Sequence, residues 1–505
     1  MRVLLINPNS SLINKNWAYK KFFTPIAPLG LAYLAGILKK NGFEVSIIDQ
    51  FADKMPDAVL LNIIKDRKPD VIGFSALTPV IRDVRRLALA IKELSGKSKI
   101  VLGNIHATCF PQEVLSEGTA DIVVRGEGEN TLVELCQRLS RNKGLEGLPG
   151  ISFKIDGQIV HNPEREVIAD LDSLPYPAWE ELNLDNYTEV PLVAIKKARA
   201  FPIIASRGCD FRCYYCSQDK IYKQVRYRNL NKVIDEMEYF YNNHGIKIFG
   251  FSDAYFPFDE TSGLEFCASL IKRNLNKKIE WCTETRVDKV TPRLLEAMKE
   301  AGVHLIMYGV EVGNQRIMDS LNKGTTLEQA RFALQQTRKA GILSQGLFIL
   351  GLPGESIRTC KDTINFAKEL DCDLVKFNVA MPYPGSRFFE DYKRMNKISN
   401  PERFTSWFDW VNFSEDFIYT PQGMDSNILR YLQRRAMLEF YARPKVILRH
   451  LLRGTIRYEN ILYGGFWLLS LFYSGVLKRL KLWISNKYPR GKKWNFLFPR
   501  IGKKS

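Results

Sequence analysis

Apolar residues along the chain fall into short runs separated by amphipathic stretches. From the first residue to about 145 the runs are VLLINP, VSIID, VIGFSA, IVLGN and IVVRGEGE, with helical spacing between them, first near 29–41, where it ends at Asn41-Gly42. Short apolar runs that alternate with helices predict a parallel sheet covered on both faces. We therefore expect a doubly wound, Rossmann-like α/β domain over 1–145. Such sheets bind ligands at the carboxyl ends of their strands. The loops Asn7-Pro8-Asn9, Ser75 to Pro79 and Gly103 to Thr108 should then face one crevice.

Residues 146–198 are rich in Pro, Gly and charge (LPGISF, LPYPAW) and read as a linker with a small hairpin. A second strand and helix series follows over 199–390: FPIIAS, IKIFGFSD, IEWCTE, HLIMYGVE, SQGLFILG and LVKFNVA. Six such units predict a partial (β/α)6 barrel, whose functional groups come from the loops after each strand. Residues 391–505 lack strand rhythm and read as a helical, basic region.

Composition narrows the class. With 505 residues, 45% hydrophobic and 25% charged, the chain can bury several cores and is not a disordered one. The start, MRVLLINPNS, carries a single Arg before a short apolar run, so it reads as a first strand and not as a secretory leader. A cytoplasmic location follows as an expectation. Nine cysteines in that setting argue for reduced thiols and against a disulfide framework. Six stand singly, Cys109, Cys136, Cys267, Cys282, Cys360 and Cys372, and read as small buried hydrophobes.

The net charge of +18 is uneven. From residue 427 onward there are 18 Lys and Arg against Glu439 and Glu459, so this tail carries +16 of it. The tail also holds Ile461 to Leu477, a run without charge bracketed by basic residues (Arg453 and Arg457, then Lys478, Arg479 and Lys481). It is short for a span, and its aromatic content suits an interfacial segment. The expectation is a peripheral contact with the cytoplasmic membrane face rather than nucleic-acid binding, and hence a hydrophobic or lipid substrate.

The other three cysteines are clustered. In Ser206-Arg207-Gly208-Cys209-Asp210-Phe211-Arg212-Cys213-Tyr214-Tyr215-Cys216 they lie directly after an apolar strand. Three thiolates on one loop can hold three corners of a cubane and leave the fourth iron open for chemistry. A zinc site would call for a second CxxC or a Cys/His pair, and the sequence offers neither.

This CxxxCxxC pattern, with Tyr215 before the last Cys, resembles the signature of the radical S-adenosylmethionine (SAM) superfamily. The resemblance implies a [4Fe-4S] cluster on Cys209, Cys213 and Cys216. It also implies SAM chelating the open iron, reductive cleavage to a 5′-deoxyadenosyl radical, and a reductant such as flavodoxin or ferredoxin. It implies further SAM contacts: Tyr215 at the adenine, Asp253 at the amine after the second strand, and Glu284 and Arg286 ending the third, the Arg for the carboxylate. Glu311, in Tyr308-Gly309-Val310-Glu311, would take the ribose. Gly351, in Gly346 to Pro353, would end a glycine-rich strand beside the adenine.

A doubly wound domain ahead of such a barrel resembles the cobalamin-binding subfamily. The strings Pro28 to Ala35, Gly73-Phe74-Ser75, Gly103 to Thr108 and Val124 to Glu129 carry that likeness. It implies cobalamin contacts from Ser75, Thr78, Gly103, Asn104, Thr108, Gly126 and Glu127. His106 is not expected to bind cobalt, since Asn104-Ile105-His106 follows the fourth strand and lacks the Asp that would orient an imidazole. The reading is C-methylation of an unactivated carbon in a lipid, isoprenoid or tetrapyrrole. Two alternatives stay open: an oxidative cyclase without methyl transfer, and a membrane-tethered corrinoid or iron-sulfur module with a binding or electron-transfer role.

Overall fold

The computed structural model describes residues 1–9, 25–94, 96–188, 198–395 and 417–453. The first sheet has seven strands in the order β2-β1-β3-β4-β5-β6-β7. They are β1 (Arg2–Asn7), β2 (Glu44–Asp49), β3 (Val71–Ser75), β4 (Lys99–Gly103), β5 (Ile122–Val124), β6 (Ile151–Ile155) and β7 (Gln158–His161). The first five run parallel. Their apolar runs are continuous because both faces are covered. Leu4, Ile6, Ile72, Phe74, Ile100 and Leu102 pack with Leu60, Ile64, Val84, Leu87 and Ile91 of the helices Asp57–Arg67 and Ile81–Leu94. Val3, Leu5, Val71, Val101, Ile122 and Val124 join Leu31, Ala35, Leu38, Leu132 and Leu135 of the helices Leu29–Lys40 and Glu129–Ser140. Strand order reverses between β1 and β3, so the crevice opens at their carboxyl ends.

The span read as a linker carries sheet structure. β6 pairs antiparallel with β5 (Ile122 opposite Phe153, Val124 opposite Ile151) and β7 with β6, so the hairpin extends the first sheet. β6 is buried over Ile151, Ser152 and Phe153 and exposed at Lys154 and Ile155, and β7 is exposed at both of its ends. Beyond it, Trp179 and Tyr187 are buried, with ring centroids 5.0 and 5.3 Å from that of Phe201 at the start of the second sheet.

The second sheet is parallel throughout, in the order β15-β14-β13-β12-β11-β8. Its strands are β8 (Ala200–Ile203), β11 (Ile248–Phe251), β12 (Glu280–Arg286), β13 (Val303–Glu311), β14 (Leu343–Leu350) and β15 (Leu374–Val379). One face, with Phe249, Phe251, Trp281, Ile306, Tyr308, Phe348 and Phe377, is buried in a core shared with surrounding helices. On the other face Gly250, Glu284, Met307, Gly309, Leu347, Ile349, Lys376 and Asn378 retain access to solvent. Alternation of side chains across a strand thus separates a packed outer face from an open inner one. Between the sheets a short ribbon pairs β9 (Ser206–Arg207) with β10 (Arg226–Tyr227).

After residue 390 the described residues are helical at the end of Arg387–Arg394 and at Ser426–Tyr441 and Pro444–Leu452. Leu429, Leu432, Ala436 and Phe440 of Ser426–Tyr441 are buried in the core beside β15. Met1–Val446 form one compact unit, and a second begins at Ile447. The uncharged run Ile461 to Leu477 lies outside the described residues; within them, no helix is long and apolar enough to cross a membrane.

Candidate active site

The β9–β10 ribbon closes the loop that carries the three cysteines. At its neck Gly208 has φ +93°, and a Cβ there would lie 2.4 Å from the carbonyl oxygen of Gln224, so only glycine lets the two arms meet. The Cys216 amide donates to the Cys213 carbonyl (3.1 Å), and Tyr214 N donates to Leu321 O (2.9 Å). Asn322 Nδ2 donates to Arg212 O (2.9 Å), and the Arg286 guanidinium lies 3.4 Å from the centre of the Phe211 ring. Burial pushes all three thiols up; the positive charge of Arg286 beside Cys209, and of Lys323 and Arg286 beside Cys213, opposes it. Soft thiols on one loop flanked by two buried cations fit an anionic iron-sulfur cluster. Among the described residues no three Cys, His, Asp or Glu converge on one point as a single ion requires; a cubane takes its thiolates at separate corners.

The candidate SAM contacts gather around this loop unequally. Tyr215 hydrogen-bonds Glu311, and burial holds its hydroxyl well above its ordinary pKa. Glu311 sits at a bulge with φ +69°, ion-paired to Lys323, which also donates to Gly309 O (2.8 Å). A Cβ on Gly309 would fall 2.6 Å from both charged groups, so that glycine makes room for the pair. Arg286 is held by Asp288 (2.9 Å) and by Lys323 O (2.9 Å). Asp253 is turned to the ribbon: its carboxylate accepts from Ala205 N (3.1 Å) and Ser206 Oγ (2.5 Å), and burial pushes its pKa up to about 7. Gly351 has a packing reason, since a Cβ there would lie 2.7 Å from Leu429, and its amide donates to Glu355 (2.7 Å).

The crevice of the first sheet collects most of the candidate cobalamin contacts into one neutral network. Asn104 Nδ2 donates to Ser75 Oγ (3.1 Å) from a backbone with φ +79°, next to Gly103. Gly126 N donates to Thr108 Oγ1 (3.2 Å). Thr78 is sealed below this surface, its hydroxyl 3.2 Å from Nδ1 of buried His106, whose pKa burial lowers to about 4. Neutral short side chains and an open glycine edge fit a flat macrocycle carrying amides. At the rim, Phe110 packs edge-on to Phe389, and a Cβ on Gly385 would lie 3.2 Å from Cys109 Sγ, so crevice and barrel mouth adjoin.

Glu127 does not belong to that network. Arg226 grips it bidentately (2.8 and 2.9 Å), Arg207 adds a bond of 3.1 Å, and Ile168 N donates to it (2.8 Å). Burial pushes its carboxyl up, and the two guanidiniums more than reverse this, leaving it below its ordinary value. Arg207 also bonds Glu129. Arg228, just past the ribbon, pairs with Glu236 (2.7 Å) and donates to Ile204 O (2.9 Å). A carboxylate among the neutral groups of the crevice would be buried unpaired, whereas the ribbon presents arginines.

Residues 20–136 match the B12 binding domain family and residues 203–367 the radical SAM superfamily. The chain is 32% identical to an uncharacterized methyltransferase of Pyrococcus horikoshii over 89% of its own length and 94% of the relative's. It is 31% identical to the anaerobic magnesium-protoporphyrin IX monomethyl ester cyclase of Rubrivivax gelatinosus, over 87% and 79%. In fold it resembles the radical SAM methyltransferase TsrM of Kitasatospora setae, solved with cobalamin and a [4Fe-4S] cluster bound (TM-score 0.65, 18% identity, 78% of each chain).

The chain is a cobalamin-binding radical SAM enzyme. Its cofactors are a [4Fe-4S] cluster, SAM and cobalamin. The inner face of a radical SAM barrel also holds residues that the sequence reading missed. Strand register sets Glu284, Met307, Gln345 and Leu374 in one inward row, and Arg286, Gly309, Leu347 and Lys376 in the next. Glu284 is reached by solvent, yet burial pushes its carboxyl up while the Lys376 ammonium draws it down. Its place on the inner face, open to solvent and beside Lys376, leaves it available to a ligand. Gln345 is 1% exposed, and neither of its amide atoms has a partner among the described residues. Local signals for these residues are absent: a Lys or Gln inside LVKFNVA or SQGLFILG reads as an ordinary strand position.

Proposed function

We propose that the enzyme methylates an unactivated carbon of a substrate with an apolar body and a polar or anionic end. The observation that carries this reading is the adjacency of the neutral crevice, the cysteine loop and the accessible inner face of the barrel within one compact unit. When bound, the cofactors supply reductive cleavage of SAM and a transferable methyl group. Cys209, Cys213 and Cys216 hold the cluster, with Arg286 and Lys323 offsetting its charge. Tyr215 and Glu311 border the nucleoside side of SAM. Met307, Leu347 and Ile349 receive the apolar body, and Lys376 with Gln345 takes the polar end. Burial among these side chains keeps bulk water from a reactive carbon.

A second reading, oxidative ring closure without methyl transfer, is favoured by the likeness to the magnesium-protoporphyrin ester cyclase. One anaerobic assay separates the two. Reconstituted enzyme is given reductant, SAM with a deuterated methyl group, and magnesium-protoporphyrin monomethyl ester or a lipid extract, and products are read by mass spectrometry. A labelled methyl in the product together with 5′-deoxyadenosine supports methylation. Loss of hydrogen or gain of oxygen without label supports cyclisation, and absence of 5′-deoxyadenosine sinks both. Flotation of the full chain on anionic liposomes, against a chain ending before residue 455, tests the membrane contact proposed for the basic tail.

A further inference from the structure

One short segment touches both halves of this machinery. At its Gly126 end the amide donates to Thr108, on the crevice wall. Immediately after, Glu127 and Glu129 reach Arg207 and Arg226. These arginines face each other across the ribbon, in register, and the ribbon is the neck of the cysteine loop: Arg207 stands two residues before Cys209. All four charged side chains are buried, and Arg207 also lies over the rings of Tyr33 and Tyr222 at 5.6 and 5.9 Å. Such a group tolerates little displacement, because a shifted partner leaves a buried charge exposed to an apolar surround. Movement at Gly126 is therefore passed to the neck of the loop.

We propose that residues 125–129 couple the two cofactor sites, with Glu127 and Glu129 as positioning residues for the cluster loop, so that cobalamin binding and cluster binding strengthen each other. The proposal rests on cobalamin lying in the Gly126 crevice and the cluster on the cysteine triad. Coupling between two sites is reciprocal by thermodynamic necessity. Cobalamin that orders Gly126 and Thr108 must favour the loop geometry that holds iron, and a filled loop must raise cobalamin affinity by the same factor.

The test uses the full chain. Hydroxocobalamin is titrated by absorbance into protein with and without a reconstituted cluster, and the cluster midpoint potential is measured by EPR with and without hydroxocobalamin. The wild type is expected to bind hydroxocobalamin about fivefold or more tightly when the cluster is present, within the usual range of allosteric coupling, and to show a shifted potential on adding it. In Glu127→Gln/Glu129→Gln each cofactor still binds while the ratio falls below about twofold, and Glu129→Gln alone also lowers the ratio. Glu129→Gln leaves Glu127 paired with both arginines, so it decides the matter if the double variant does not fold. Hydroxocobalamin binding the wild type equally tightly with and without the cluster, together with an unshifted potential, overturns the coupling alone, as does coupling that persists in both variants. A wild type that binds no hydroxocobalamin overturns the assignment of the crevice, and the coupling with it.

Discussion

The crevice and the barrel mouth adjoin, yet they are built from opposite materials. Around the crevice Ser75, Asn104, Thr108 and Gly126 exchange neutral hydrogen bonds, and His106 is held uncharged by burial. Around the cysteine loop stand Arg286, Lys323, Glu311, Arg207, Arg226 and Glu127, nearly all buried and paired. A large, weakly charged macrocycle needs shape and amide partners. A small, anionic cluster needs fixed positive charge in a place of low dielectric, where each charge acts strongly. The cost falls on the second site, since every cation there must be matched by an anion or left to destabilise the fold.

Breaking the charged side should therefore cost far more than breaking the neutral one. Cys213→Ala leaves two thiols for a cubane, and iron content and the brown absorbance should fall to near background while the chain stays folded. Retention of the cluster would remove the triad from the site. Glu127→Ala strands Arg226 and half of Arg207, and a melting curve should record a loss of about 3–5 kcal/mol; a loss under about 1 kcal/mol would mean that solvent already screens these charges.

Asp253 gives the comparison a pH axis. Its pKa is about 7 in the folded chain against an ordinary value near 4. Between those values the folded state holds a proton that the unfolded state has lost, so this group's stabilisation is present below pH 4 and is lost as pH rises to 7. Asp253→Asn should flatten that part of the melting-temperature profile; an unchanged slope would show the carboxyl to be ionised throughout. The smallest effect belongs to His106→Ala. It removes the bond to Thr78 and a buried ring packed on Phe110, which costs stability, yet it should leave the hydroxocobalamin content unchanged. Nitrogen superhyperfine splitting in the wild-type Co(II) EPR spectrum would instead make His106 an axial ligand.

The two sides also differed in how far they could be read in advance. Strands β1 to β5 show as apolar runs because burial on both faces writes itself into consecutive residues, and the barrel strands do so because even their open inner faces carry apolar residues such as Met307, Leu347 and Ile349. The cysteine loop is local, so its spacing is visible. The pairing of Glu127 could not be read in advance, because its partners Arg207 and Arg226 lie 80 and 99 residues away. Lys376 and Gln345 had no local mark at all, since only strand register turns them inward, and Lys323 is placed by its bonds to Gly309 and Glu311 from a loop outside the strands. The hairpin at 151–161 was legible as a hairpin, but its pairing with β5 was not, since that partner is not its neighbour along the chain.

The ribbon has a consequence for how this protein can be divided. A cut through the connecting span, at a place where domain boundaries are usually sought, would yield a carboxyl fragment whose Arg207 and Arg226 have lost Glu127 and Glu129. The isolated barrel would then present bare guanidiniums at the neck of its cysteine loop, and the isolated first sheet a pair of naked carboxylates. The two halves are thus not interchangeable parts. A chimera that transplants this barrel onto another corrinoid carrier must bring the acidic segment with it, or supply two carboxylates at the same height above the ribbon.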